Sequence, residues 1–160
     1  MDKNKQSNLR PSDLLLKYFP FQPTKGQADF FKKMDPFFEK KSEDKPVFIL
    51  KGYAGTGKTS LISALVKILP RMEMRSLLLA PTGRAAKVMS NYSGRGAFTI
   101  HKIIYKPKGD PGTMGGGFVL QKNYFKDTLF IIDESSMLAD DGGMSGNLLW
   151  DLITYVFSGS

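Results

Sequence analysis

The residues best suited to chemistry stand in one run, Gly52-Tyr53-Ala54-Gly55-Thr56-Gly57-Lys58-Thr59. They satisfy the pattern G-x-x-x-x-G-K-[ST], followed here by Ser60. Glycines at this spacing let the backbone turn tightly, so that successive N–H groups point inward at phosphate oxygens. A helix beginning at the end of the loop adds the positive end of its dipole. Lys58 would then reach the β- and γ-phosphates of a nucleotide, and the Thr59 hydroxyl would ligate Mg²⁺. Candidate nucleotide contacts therefore run from Gly52 to Ser60. The bland alternative is a glycine-rich turn that happens to precede a helix. Against it stands the context: an apolar run before the loop and an amphipathic pattern after it, as the motif requires.

A second group with chemical capacity is Phe130-Ile131-Ile132-Asp133-Glu134, an apolar stretch that ends in two carboxylates. Unpaired charges are costly away from water, so a buried strand that ends in paired acids has a use for them. Beside a phosphate loop, Asp133 is expected to hold Mg²⁺ and Glu134 to act as the general base that polarises the attacking water. Alone, such a pair could be an ordinary acidic turn. GTPases read guanine with Asn-Lys-x-Asp, a tetrapeptide this sequence lacks. Hydrolysis of ATP is the favoured chemistry.

The elements that must position these residues can be read from periodicity. Apolar runs at 47–50 (VFIL), 77–80 (LLLA) and 129–132 (LFII) lack polar alternation, as strands covered on both faces of a parallel sheet do. Helical patterns lie between them at 61–69, ending at Pro70, and at 83–90. A last helix is expected over 147–157. Ahead of the phosphate loop, Phe30, Phe31, Met34, Phe37 and Phe38 predict a helix over 24–41, which Pro36 should kink or split. Strand and helix in alternation argue for an α/β fold with right-handed crossovers and helices on both faces of the sheet. Residues 1–20 read as a flexible N-terminal segment, with 1–10 the most polar part, and 106–117 as a Gly/Pro-rich loop that is mobile or a hairpin tip. No internal repeat is visible.

Composition sets the wider bounds. The chain has 160 residues, 41% hydrophobic and 24% charged, enough for one core. No apolar run is long enough to span a membrane, and the first ten residues lack a signal peptide's apolar stretch. Cysteine is absent, which excludes disulfides and thiolate metal sites and fits a cytoplasmic location. The net charge of +8 suits a polyanionic partner, although scattered lysines can equally keep a surface solvated.

Taken in order, TKGQ (24–27), GYAGTGKT (52–59), LLAPTGRAAK (78–87), TIHKII (99–104) and IIDESSM (131–137) resemble the motifs of superfamily-1 DNA helicases, most of all the RecD-like group that translocates 5′ to 3′. The resemblance covers roughly residues 20 to 140. It implies a RecA-like P-loop domain of an ATP-dependent helicase that moves on single-stranded DNA. It also implies that Pro81, Thr82, Gly83, Arg84 and Ala85, with Lys87 adding charge, contact the DNA backbone, and that Thr99 and His101 lie near DNA. Each has a plainer reading: 81–85 as an ordinary strand-to-helix turn, Thr99 as an N-cap, His101 as a packed side chain. Gln27 matches the glutamine that reads the adenine edge in this family, while Thr24-x-x-Gln27 is also a capping box.

Family members carry further motifs after the acidic pair: a glutamine that senses the γ-phosphate, and a second RecA-like domain with arginine fingers. These 160 residues contain neither. The resemblance therefore implies the N-terminal part of the first motor domain over 21–160, with an incomplete sheet and no ATPase activity of its own. The rest of the helicase chain, or a second molecule, would complete the sheet. Two other functions stay open: a regulatory nucleotide-gated ATPase without unwinding activity, and a small-molecule kinase.

Overall fold

A computed structural model describes residues 9–40, 44–108, 117–138 and 146–159. The chain forms two compact units, divided between Arg75 and Ser76.

The first unit is helical. Helix α1 (Pro11–Tyr18) opens with Pro11 in its first turn, and buries Leu14 and Leu15. The Asp35 carboxylate accepts from the Ser12 N–H and hydroxyl, both at 2.7 Å, and so ties the start of α1 to the next helix. The segment 1–20, expected to be flexible, thus contains an anchored helix, which buries Leu14 and Leu15 while Leu16 stays exposed. Residues 1–8 lie outside the described part. Helix α2 (Lys25–Phe38) begins at the Thr24 cap and buries Phe30, Phe31 and Met34. Pro36 neither splits it nor ends it: the helix runs on to Phe38, with only the proline's own missing N–H bond lost from the ladder. Helix α3 (Lys58–Ile68) follows the phosphate loop, and Pro70 sits in a 3₁₀ turn (Leu69–Met72) that closes it.

The apolar run 47–50 differs from expectation: among the described residues it belongs to no strand. Phe48 packs edge-on against Phe30 and Phe37, with ring centroids 5.6 and 5.8 Å away, while Val47 and Ile49 are exposed. An extended chain becomes a strand only when a neighbouring strand pairs with its N–H and C=O groups, and among the described residues none does so.

The second unit holds the sheet. Strands β1 (Arg75–Ala80), β2 (Ala97–Thr99) and β5 (Thr128–Ile132) form a parallel sheet in the order β2-β1-β5. β1 is central, and its residues Leu77 to Ala80 are all buried, which explains an apolar run without alternation. Helix α4 (Gly83–Ser93) carries the chain from β1 to β2, and a short helix α5 (Ile100–Ile104) follows β2. Strands β3 (Tyr105–Pro107) and β4 (Phe118–Leu120) pair antiparallel, with Pro107 opposite Phe118. The Gly/Pro-rich loop is therefore flanked by a hairpin, although 109–116 lie outside the described residues. Helix α6 (Leu148–Val156) packs Leu148, Leu152 and Tyr155 into a core with Leu77, Leu79, Ile100 and Ile104. Buried Asn123 donates to the Tyr155 and Val156 carbonyls at 3.2 and 3.0 Å, satisfying the end of that helix.

Candidate functional site

The phosphate loop is built almost entirely from its own residues. Gly55 and Gly57 hold φ of +78° and +84°, the left-handed region that L side chains rarely adopt. Alternating such residues turns backbone N–H groups toward a common centre. Gly57 is also the cap of α3, so the helix dipole begins where the loop ends. The Thr56 hydroxyl donates to the Tyr53 carbonyl at 2.8 Å. The Lys58 ammonium donates to the Gly52 and Tyr53 carbonyls at 2.6 and 2.8 Å, folded back over the loop. Tyr53, Ala54 and Thr59 are exposed and Ser60 half-buried. Lys51, Gly52 and Tyr53 line an open recess at the start of the loop.

Gln27 does two things at once. Its side-chain oxygen accepts from the Thr24 N–H at 2.9 Å, while the Thr24 hydroxyl accepts from the Gln27 N–H, completing the capping box. Its amide nitrogen donates to the Thr56 carbonyl at 3.3 Å, so the same side chain touches the phosphate loop. A Cβ at Gly57 would run into that amide. That amide is the end of a flexible side chain and could swing aside, so the left-handed φ of Gly57 is what disfavours a side chain there.

In the second unit, three sequence motifs meet at one end of the sheet. Ala80 of β1 lies opposite Thr99 of β2, so the 81–85 turn and the Thr99–His101 turn leave neighbouring parallel strands side by side. The Asp133 N–H donates to the Leu79 carbonyl at 3.0 Å, so β5 ends at the same edge. In open α/β sheets, ligands bind outside the carboxyl ends of the strands. Thr82 and Thr99 each cap the helix that follows, accepting from Ala85 N–H and Lys102 N–H. Arg84, Lys87 and His101 are exposed, with the His101 ring 5.5 Å from that of Tyr105. Pro81 and Ala85 are half-buried and Gly83 exposed. The capping readings of Thr99 and Thr24-x-x-Gln27 are thus real, and leave any ligand role open.

Asp133 is held from two sides. The Glu134 N–H donates to its Oδ1 at 2.9 Å, and the Tyr92 hydroxyl donates to its Oδ2 at 2.7 Å. Glu134 takes φ +54°, which turns the chain sharply and leaves its own side chain exposed. A non-glycine residue in that region is a strained feature of the kind that collects at functional sites. Burial, then the bond to Asp133, then the two carboxylates' charges push the Tyr92 phenol well above its ordinary pKa, so it stays a donor. Sequence reasoning missed Tyr92, because 41 positions separate it from Asp133. The available signal was its place on α4, one position short of buried Ser93 and three past buried Met89.

The Asp133 carboxylate of the second unit and, separately, the exposed Thr59 hydroxyl of the first are each hard oxygen donors, the kind Mg²⁺ takes alongside nucleotide phosphates, so the chemistry of each fits that ion. Among the described residues, no helix is long and apolar enough to cross a membrane.

Comparison with known proteins bears on the family. Residues 39–149 match the family described as AAA domain. The ATP-dependent RecD2 DNA helicase of Deinococcus radiodurans is 31% identical over 96 residues, covering 58% of this chain and 12% of the helicase. The ATP-dependent DNA helicase dda of Enterobacteria phage T4 is 33% identical over 120 residues, covering 71% of this chain and 26% of that protein. The chain thus spans about a quarter or less of the length of these relatives. A phosphate loop with two left-handed glycines, an acidic pair at the carboxyl edge of a parallel α/β sheet and the match over 39–149 lead to one conclusion: the chain belongs to the AAA-domain family, as a P-loop ATPase domain distantly similar to RecD2 and Dda helicases.

Proposed function

We propose that the chain is the ATP·Mg-binding part of a helicase's first motor domain, which hydrolyses ATP to translocate along single-stranded DNA. The observation that carries this reading is the phosphate loop, with Gly55 and Gly57 in left-handed conformation and Lys58 poised over it. In the bound state the Lys58 ammonium would exchange its two loop carbonyls for the β- and γ-phosphates. Thr59 and Asp133 would hold Mg²⁺, which when bound neutralises charge on the phosphate oxygens. Glu134, exposed beyond the end of β5, would orient the attacking water and accept its proton. Gln27 spends one N–H and one lone pair on the contacts described, which leaves one of each for the adenine edge. Arg84 and Lys87, with the Pro81–Ala85 turn, Thr99 and His101, would contact the DNA backbone, where small residues and capped helix starts present N–H groups. β5 is an end strand of the described sheet, and the remainder of the protein or a second molecule would extend it.

The test is phosphate release by the protein that carries this chain, with and without single-stranded oligonucleotide. Stimulation by DNA is expected; hydrolysis indifferent to DNA would favour a regulatory ATPase. Lys58→Ala should abolish nucleotide binding in calorimetry, since it removes the cation the loop places at the phosphates. An unchanged affinity for ATP would overturn the assignment of the loop.

A further inference from the structure

We propose that Tyr92 is a positioning residue for the metal-bearing carboxylate: its hydroxyl fixes the orientation of Asp133 and so sets how much Mg²⁺ the site needs to hold a nucleotide. The inference rests on the assignment of Asp133 made above. A carboxylate rotates easily about its last torsion, where barriers are broad and low. Asp133 sits at the end of β5, half-buried, with its backbone N–H fixed on Leu79. One oxygen is engaged by the N–H of Glu134, a bond the turn itself supplies to whatever carboxylate stands there.

The second oxygen is engaged from elsewhere in the fold. Tyr92 comes from the last turn of α4, a helix capped at its start by Thr82 and closed by left-handed Gly94. That last turn is pinned in turn: the Ser90 hydroxyl donates to the Ala86 carbonyl at 3.0 Å and accepts from the Ala97 N–H at 2.8 Å. The phenol is therefore a stiff strut between a fixed helix and a carboxylate that would otherwise turn. With one donor on each oxygen, the carboxylate has a single orientation, and its remaining lone pairs face one way. Partners of this outer kind typically change metal affinity by about 10–100-fold when removed.

A purely structural role, packing α4 against its neighbours, would be filled as well by phenylalanine. Tyr92→Phe keeps the ring and removes only the donor. Binding of a non-hydrolysable ATP analogue should be titrated in EDTA and over a series of Mg²⁺ concentrations, alongside thermal melting. Tyr92→Phe is expected to need roughly ten times more Mg²⁺ for half-maximal binding, with affinity in EDTA unchanged. In an Asp133→Asn background, the same substitution should add nothing, because the pair acts as one unit. An unchanged Mg²⁺ requirement in Tyr92→Phe, beside a wild type that responds to Mg²⁺, would overturn the inference alone. A fall in EDTA affinity together with a lost melting transition would also overturn it, since it shows a structural prop. If the wild type binds no nucleotide with Mg²⁺ present, the ATP·Mg reading fails, and this inference with it.

Discussion

The phosphate loop and the carboxyl edge of the sheet hold their functional groups by different means. At the loop, Lys58 bonds to carbonyls five and six positions away, and the glycine conformations are set by the residues that carry them. The longest reach is the 29 positions from Gln27 to Thr56. At the sheet edge, Asp133 depends on Tyr92, 41 positions away, and on the Leu79 carbonyl. A motif made of local backbone geometry forms wherever a helix can follow it. An edge made of parallel strands exists only after crossovers have closed, at the cost of loop entropy. The sequence pattern of a site therefore says little about how much of the fold must be in place before it works.

The two regions should also fail differently, and the largest expected effect tests that. Glu134→Gln keeps shape and hydrogen bonding but cannot take a proton at neutral pH. Turnover should fall by about 10²- to 10⁴-fold while nucleotide affinity stays near that of the wild type. Calorimetry and phosphate release on the same preparation separate the two quantities. If affinity fell as it should in Lys58→Ala, binding and turnover would not divide between loop and edge.

Next in size is a substitution in the central strand. Leu79 is fully buried, and β1 has a neighbour on each side. Leu79→Ala should destabilise the chain by about 2–5 kcal/mol, from lost transfer energy plus the cavity left behind. Urea unfolding followed by circular dichroism measures it. A cost below about 1 kcal/mol would mean that the sheet is not the fixed frame on which Asp133 depends.

Much of this was legible beforehand where chemistry and local pattern coincide. The phosphate loop, its following helix, the strands at 77–80 and 129–132 and the caps at Thr24 and Thr99 follow from residue types a few positions apart. What escaped has a common cause. Tyr92 acts across 41 positions, and the three-residue strands β2, β3 and β4 are too short to show a period. Helix α1 was hidden because eight residues are too few to fix a helical period, and its anchor, Asp35, lies 23 positions from Ser12.

The smallest expected effect sharpens the comparison most, because it separates two apolar runs that look alike in sequence. VFIL (47–50) and LLLA (77–80) both lack polar alternation, yet only the second is laddered. Ile49 is 72% exposed, whereas Leu79 is 0% exposed. In this 160-residue chain, Ile49→Ala should therefore change stability by no more than about 0.5 kcal/mol, as surface substitutions do. A run apolar on both sides with only the Phe48 side packed has the composition of a buried strand and the surroundings of an exposed one. In a longer form of the protein whose sheet is completed beside it, the same substitution should cost about 2–5 kcal/mol, the penalty of a buried position. Urea midpoints of the two forms, with and without the substitution, give both numbers. A cost in the 160-residue chain equal to that of Leu79→Ala would show that 47–51 is already paired and covered in solution. It would then be the strand its sequence describes, without help from any added chain.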